Sequence, residues 1–179
     1  MIEMSSNWFV ITGGPSSGIT ATASFIATLG FQTVPEAARM LIDQEVAKGK
    51  DISEIRKDEL LFQRLVLQKK QEIENSLDKN KIIFFERGIP DSLAYSKLYG
   101  VVTREIYSVC NKCEYGKVFV LESLEFEEDY ARIEDASISK QIYELLKESY
   151  SELGFNLVVV PKMSIEQRAK MILSSINLY

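Results

Sequence analysis

Residues able to hold a phosphate gather near the start of the chain, in the stretch Trp8-Phe-Val-Ile-Thr-Gly-Gly-Pro-Ser-Ser-Gly-Ile-Thr20. Gly13 and Gly18 stand where the phosphate-loop pattern G-x-x-x-x-G-K-S/T has its glycines, and Thr20 stands where it has its hydroxyl. Without β-carbons, the backbone can wrap an anion and point successive N–H groups at it. A helix starting at Ile19 would add the positive end of its dipole. The Thr20 hydroxyl is then placed to hold Mg²⁺. One position breaks the pattern: Ile19 takes the place of the lysine that reaches the β- and γ-phosphates. A charged hydrogen bond of that kind is worth about 1.5–3 kcal/mol. Its loss weakens binding roughly tenfold to a hundredfold by that arithmetic, and catalysis more. The expected nucleotide cradle is thus Gly13, Gly14, Pro15, Ser16, Ser17, Gly18, Ile19 and Thr20, with its strongest cation missing.

Other chemistries are narrowed by composition. The 179 residues contain no histidine, which excludes His-based triads and imidazole metal ligands. Gly14-Pro-Ser-Ser-Gly18 also spells the G-x-S-x-G of a hydrolase elbow, but such an enzyme needs a histidine base. Cys110 and Cys113 are the only cysteines, too few to close a zinc site, and read as free thiols in a reducing compartment. The net charge of −5 gives no reason to expect a nucleic-acid partner. Seven acids and one base, Arg132, lie between Glu122 and Asp135. Asn111-Lys-Cys-Glu114 ends in glutamate, so the guanine-reading N-K-x-D pattern is absent. No apolar run approaches the ~20 residues that span a bilayer. Met1 to Asn7 has neither the basic start nor the apolar core of a signal peptide. A cytoplasmic protein with no membrane partner is the expectation.

The elements that must position the loop follow from periodicity. Apolar strands are expected at Trp8–Ile11, Phe31–Val34, Ile82–Phe85, Lys117–Leu121 and Leu157–Val160. Helices are expected from Ile19 to Leu29, from Glu36 to a break at Lys48-Gly49-Lys50, and from Ile52 to Leu77. Ile55, Phe62, Leu65, Val66, Ile73 and Leu77 form the inward stripe of that third helix. Further helices read at Pro90–Tyr99, at Thr103 to about Glu114, before Gly154, and after the capping box Ser164-Ile-Glu-Gln167. Alternating strands and helices predict one α/β domain over residues 1–179 with a five-stranded parallel sheet flanked by helices. Ligands of such sheets sit beyond the strand carboxyl ends. Three of those ends are chemically loaded: the loop itself, then Glu36 and Arg39, then Glu86 and Arg87. Acids and arginines around a phosphate loop suit phosphoryl transfer.

Four collinear blocks carry a resemblance that runs nearly end to end. They are Ile11-Thr-Gly-Gly-Pro-Ser-Ser-Gly18, Val34-Pro-Glu-Ala-Ala-Arg39, Phe84-Phe-Glu-Arg-Gly-Ile-Pro-Asp-Ser-Leu-Ala-Tyr95 and Glu152-Leu-Gly-Phe-Asn-Leu-Val-Val-Val-Pro161. The chain resembles the small predicted AAA-type ATPase family of kinase-like P-loop proteins. That family is related to the ribosylnicotinamide-kinase domain of NAD-regulator proteins and, more distantly, to deoxynucleoside kinases. The resemblance implies a P-loop NTPase fold of the nucleotide-kinase type and use of ATP or GTP with Mg²⁺. It implies that backbone N–H groups from Gly14 to Thr20 hold phosphates and that Thr20 and Glu86 hold the metal. It further implies that Arg87 and Arg132 neutralise the transferred group, and that Glu36 faces a small-molecule acceptor. The chain departs from the family at Ile19, at Ser16 in place of a loop glycine, at Glu86 in place of aspartate, and after Leu121, where a proline–tryptophan start is absent. Asp129-Tyr-Ala-Arg-Ile-Glu-Asp135 resembles the family's lid, within a lid-like acidic segment 122–137.

Each role has a plainer counterpart. The loop could be a simple strand–helix turn, Glu86 and Arg87 an ion pair, Glu36 a charge at a helix start, and Arg132 a solvated arginine. Three functions are compatible with the residues: a Mg²⁺-dependent kinase or NTPase, a nucleotide- or phosphate-binding module with little turnover, and a scaffold with an empty loop.

Overall fold

The computed structural model describes residues 6–124 and 136–179. Its centre is β1 (Trp8–Gly13), buried along its whole length. A strand apolar at every position is one covered on both faces, as parallel sheets require. Its side chains divide between two layers. Phe9 and Ile11 pack with Ile26 of α1 (Ile19–Thr28) and with Ile172 and Leu173 of the C-terminal helix. Trp8 and Val10 pack on the opposite face with Tyr115 and Tyr150.

Beyond α1 come β2 (Gln32–Val34) and α2 (Ala37–Ala47), then the short α3 (Ile52–Ile55) and α4 (Glu59–Asn75). β3 (Ile83–Glu86) leads into α5 (Ile89–Leu98) and α6 (Arg104–Cys110). β4 (Lys117–Leu121), α7 (Ala136–Glu152), β5 (Leu157–Val160) and α8 (Ile165–Ser174) complete the described chain. The five strands run parallel in the order β2-β3-β1-β4-β5. Ile11 stands opposite Glu86 on one side, and Gly13 opposite Leu121 on the other. The chain therefore leaves β1, β3 and β4 at one edge of the sheet, where a ligand is expected.

The expected parallel α/β sheet is present, with local differences, among them that the helix expected from Thr103 to about Glu114 ends at Cys110. The run Ile52 to Leu77 is not one helix: it is interrupted between α3 and α4. Asp58 is the cause, because its carboxylate accepts from the Leu61 amide at 3.0 Å and so starts a new helix. The inward stripe of α4 also differs. Leu65 is 41% exposed, while Gln63 and Lys70 are buried beside Phe62, Val66 and Leu67. The last helix begins as expected: the Ser164 hydroxyl accepts from the Gln167 amide, and the Gln167 side chain returns the bond. Among the described residues, no helix is long and apolar enough to cross a membrane.

Candidate functional site

The turn between β1 and α1 is shaped by two glycines for two different reasons. At Gly13 a β-carbon would lie 2.6 Å from Ser17 Oγ and 2.7 Å from the Leu121 carbonyl, so only hydrogen fits. Gly18 takes a left-handed φ of 79° as the residue before α1. Ser16 is also left-handed, with φ 61°, a conformation that costs a residue with a β-carbon about 1 kcal/mol. Ser16 thus carries a β-carbon at a position whose left-handed backbone favours glycine. The Ser17 hydroxyl closes the turn by donating to the Gly14 carbonyl at 2.7 Å.

The amides that follow are what an anion would need. Among the described residues, no backbone carbonyl takes the N–H of Gly18, Ile19 or Thr20, and no side chain caps α1. These are the open donors of a helix's first turn. Gly14 through Ala21 line a cavity of about 1000 Å³, shared with Glu36, Arg39, Arg56, Phe62, Gln63, Lys70, Glu86, Arg87, Tyr95 and Tyr99. Gly13 lies behind it rather than on its wall.

Ile19 belongs to the wall and to the core at once. It is buried with Phe9, Ile11, Ala23 and Ile26, and its remaining exposure is to the cavity. Thr20 is more open. Its hydroxyl donates to Glu86 Oε2 at 2.8 Å, which joins the loop helix to the end of β3. Burial raises the Glu86 carboxyl above the usual range, and the bond from Thr20 offsets part of that. A desolvated carboxylate beside a hydroxyl is a pair of hard oxygen donors, the type that suits Mg²⁺. Among the described residues, no group of three or more acids or thiols is arranged for a metal. A cation here would accordingly take its other positions from phosphate and water, as Mg²⁺ does in nucleotide sites.

Glu86 and Arg87 do not pair with each other. Arg87 turns the other way, with φ 63°, and its guanidinium bonds three groups. Nε meets Glu36 Oε1 at 3.0 Å, and Nη1 donates to the Gly13 carbonyl at 2.9 Å and to Asp91 Oδ1 at 3.2 Å. Burial opposes the charge of Arg87, yet Tyr95, Glu36 and Asp91 outweigh it and hold the group above its ordinary value. Glu36 caps no amide of α2 although it stands at its start; its carboxylate faces Arg87. Of the expected site residues, the loop, Glu36, Glu86 and Arg87 thus share one cavity. Arg132 lies outside the described residues, as does most of segment 122–137. The two described flanks of that segment both touch the loop. Leu124 Cδ1 would lie 3.2 Å from a β-carbon on Gly18, and the Ser139 carbonyl 3.1 Å from one on Gly14.

Two residues that sequence reasoning passed over support the site, Lys70 on the cavity wall and Asp91 buried behind it. Asp91, with no exposed side-chain surface, gathers Thr12 Oγ1 at 2.6 Å, the Gly88 amide at 3.0 Å and the Tyr150 hydroxyl at 2.5 Å, besides Arg87. Lys70 reaches from α4 to the Gly88 carbonyl at 2.8 Å and Ser92 Oγ at 3.1 Å. Burial pushes its amine down, and Asp91 partly restores it. The signal for Lys70 was available: it continues the inward positions Phe62, Gln63 and Val66 at helical spacing. Asp91 was visible only as the third residue after Gly88, where a side chain can return to the helix start.

A family model described as an AAA domain matches residues 8–168. A comparison with curated protein sequences finds no significant match. Among solved structures, the chain superposes on NadR protein in complex with NR with a TM-score of 0.72 and 16% identity, covering 98% of this chain and 51% of that one. Thymidylate kinase from Ehrlichia chaffeensis gives a TM-score of 0.67 at 15% identity, covering 94% of this chain and 97% of that one. Deoxyadenosine kinase from M. mycoides with bound dATP gives 0.62 at 16% identity, covering 95% and 99%. At these identities the likeness is one of fold: the fold is that of kinase-like P-loop proteins.

Proposed function

The chain belongs to the AAA domain family whose model spans residues 8–168, and from that premise we propose that it binds a nucleoside triphosphate with Mg²⁺ and is built for phosphoryl transfer to a small acceptor or to water. The observation that carries this is the Thr20–Glu86 contact of 2.8 Å beside the open amides of Gly18, Ile19 and Thr20. Those amides would hold the β- and γ-phosphates. Mg²⁺ held by Thr20 and Glu86, directly or through water, would neutralise charge on the phosphates. Glu36 stands across the same cavity, where it would orient or deprotonate an acceptor hydroxyl. Arg87, held by Glu36, Asp91 and Gly13, would present its remaining N–H groups as a fixed cation. Arg132 would add a second.

A second reading is favoured by Ile19 itself: a nucleotide- or phosphate-binding module in which turnover has been lost. One comparison separates the two. ATP and GTP binding with Mg²⁺, and phosphate release, are measured for this chain and for Ile19→Lys. The lysine stem can follow the isoleucine through the core contacts while its amine reaches the cavity. Binding is expected to tighten about tenfold to a hundredfold, the worth of one charged hydrogen bond. Turnover by the unmodified chain supports the enzyme; binding without turnover, restored by lysine, supports the module. No binding by either at millimolar nucleotide refutes both.

A further inference from the structure

Arg168, on α8, has no exposed surface, yet among the described residues it has no ion pair with a carboxylate. Among the described residues its hydrogen-bond partners are three backbone carbonyls. Nη1 donates to Ser17 at 2.5 Å, Nη2 to Glu122 at 2.7 Å, and Nε to Pro161 at 3.3 Å. The Ser17 carbonyl lies in the turn before α1, and those of Glu122 and Pro161 directly follow β4 and β5, so one side chain ties the loop to the ends of two strands. A buried charge is ordinarily paired with an opposite one. Burial pushes this guanidinium below its usual value, and Glu122 offsets that only in part.

The bond to Ser17 also fixes what lies above it. A trans peptide holds its C=O and N–H on opposite edges of one plane. With the Ser17 carbonyl drawn down to Arg168, the Gly18 N–H is turned away from it. A β-carbon on Gly18 would lie 3.5 Å from Nη1, so guanidinium and loop are in contact. The charge therefore sits beneath amides that take no other partner among the described residues, in a medium that screens it little.

We propose that Arg168 is the positioning residue of the phosphate loop and supplies, from underneath, the fixed positive charge that position 19 lacks. Its counter-ion is the polyphosphate of the bound nucleotide. This rests on the phosphate-binding reading above, and the experiment separates the two. Inorganic triphosphate with Mg²⁺ is titrated by calorimetry at low and high salt into the unmodified chain, Arg168→Lys and Arg168→Gln, with thermal unfolding of each. The unmodified chain is expected to bind, more weakly as salt rises. Arg168→Gln is expected to lose at least tenfold in affinity and part of the salt dependence. Arg168→Lys keeps the charge but not the three-pronged geometry; it is expected to lose three- to tenfold and to keep the salt dependence. A merely structural arginine would lower the unfolding temperature and leave the salt dependence unchanged, and that result overturns the proposal. If Arg168→Gln does not fold, Arg168→Lys decides, since affinity equal to that of the unmodified chain also overturns it. If neither variant folds, the unmodified chain decides: triphosphate should shift the Arg168 side-chain 15N resonances, and unmoved resonances overturn the proposal. If the unmodified chain does not bind triphosphate, the phosphate reading itself is refuted and this inference falls with it. If the chain binds and both variants match it, only the role of Arg168 falls.

Discussion

At Asp91, four donors from three parts of the chain converge on one carboxylate: Thr12 in β1, Arg87 with the adjacent Gly88 amide, and Tyr150 in α7. The carboxylate is thus the joint between the central strand, the start of α5 and the arginine that faces Glu36. Asp91→Asn keeps the shape but removes the charge that Arg87 and the buried donors are arranged around. Removing one partner of a buried pair costs about 3–5 kcal/mol, because the other is left uncompensated. A loss of that size in urea unfolding is expected, together with weaker nucleotide binding as Arg87 loses its anchor. Ile19 is the opposite kind of residue. Its environment accepts an aliphatic side chain without strain, so the absence of lysine has not left a hole.

Elements explain why the site residues arrive where they do. α4 begins at Asp58, and Asp58→Ala is expected to destabilise the protein by about 1 kcal/mol in thermal or urea unfolding, the usual worth of such a cap. At the far end of α4, Glu74 accepts a short hydrogen bond from the Tyr115 hydroxyl next to β4. Burial raises the Glu74 carboxyl to about 7, against the pull of Tyr115, Lys70 and Lys79. The folded protein holds this proton more tightly than the unfolded chain. Its contribution is therefore complete below about pH 4.5 and fades as pH rises through 7. The unfolding temperature of the unmodified chain should fall between pH 5 and pH 8 by more than that of Glu74→Gln, measured side by side. The elements themselves were largely legible, because continuous apolar runs at β1, β3, β4 and β5 and the glycine and proline stops between them are local signals. The loop residues and Glu36, Glu86 and Arg87 were legible for the same reason: they fall at strand ends. What was not legible is long-range. No local pattern says that Arg87 pairs with Glu36 and Asp91 rather than with its neighbour Glu86, or that Arg168 reaches back to Ser17. The break before α4 was missed because an apolar period continued through Asp58, whose capping role depends on its side chain alone.

For the whole molecule, the cavity joins the loop, α2, α4 and α5, so a ligand bound there braces parts of the chain far apart in sequence. A ligand at one hundred times its dissociation constant stabilises the native state by about 2.7 kcal/mol. For a domain of this size that is ~5–10 °C in unfolding temperature. Such a rise is expected with Mg²⁺ and ATP or GTP at saturating concentration, read by differential scanning fluorimetry, and Mg²⁺ without nucleotide should give little of it. The strand order has a consequence for how the protein is made. β1 is translated before β3 and β4 yet lies between them, with Trp8 beside Ile83 and Phe9 beside Lys117. On the ribosome, that wholly buried segment must wait for both neighbours to emerge before it can be enclosed. Nascent chains halted between those two points would carry a half-covered hydrophobic edge, a natural station for a chaperone.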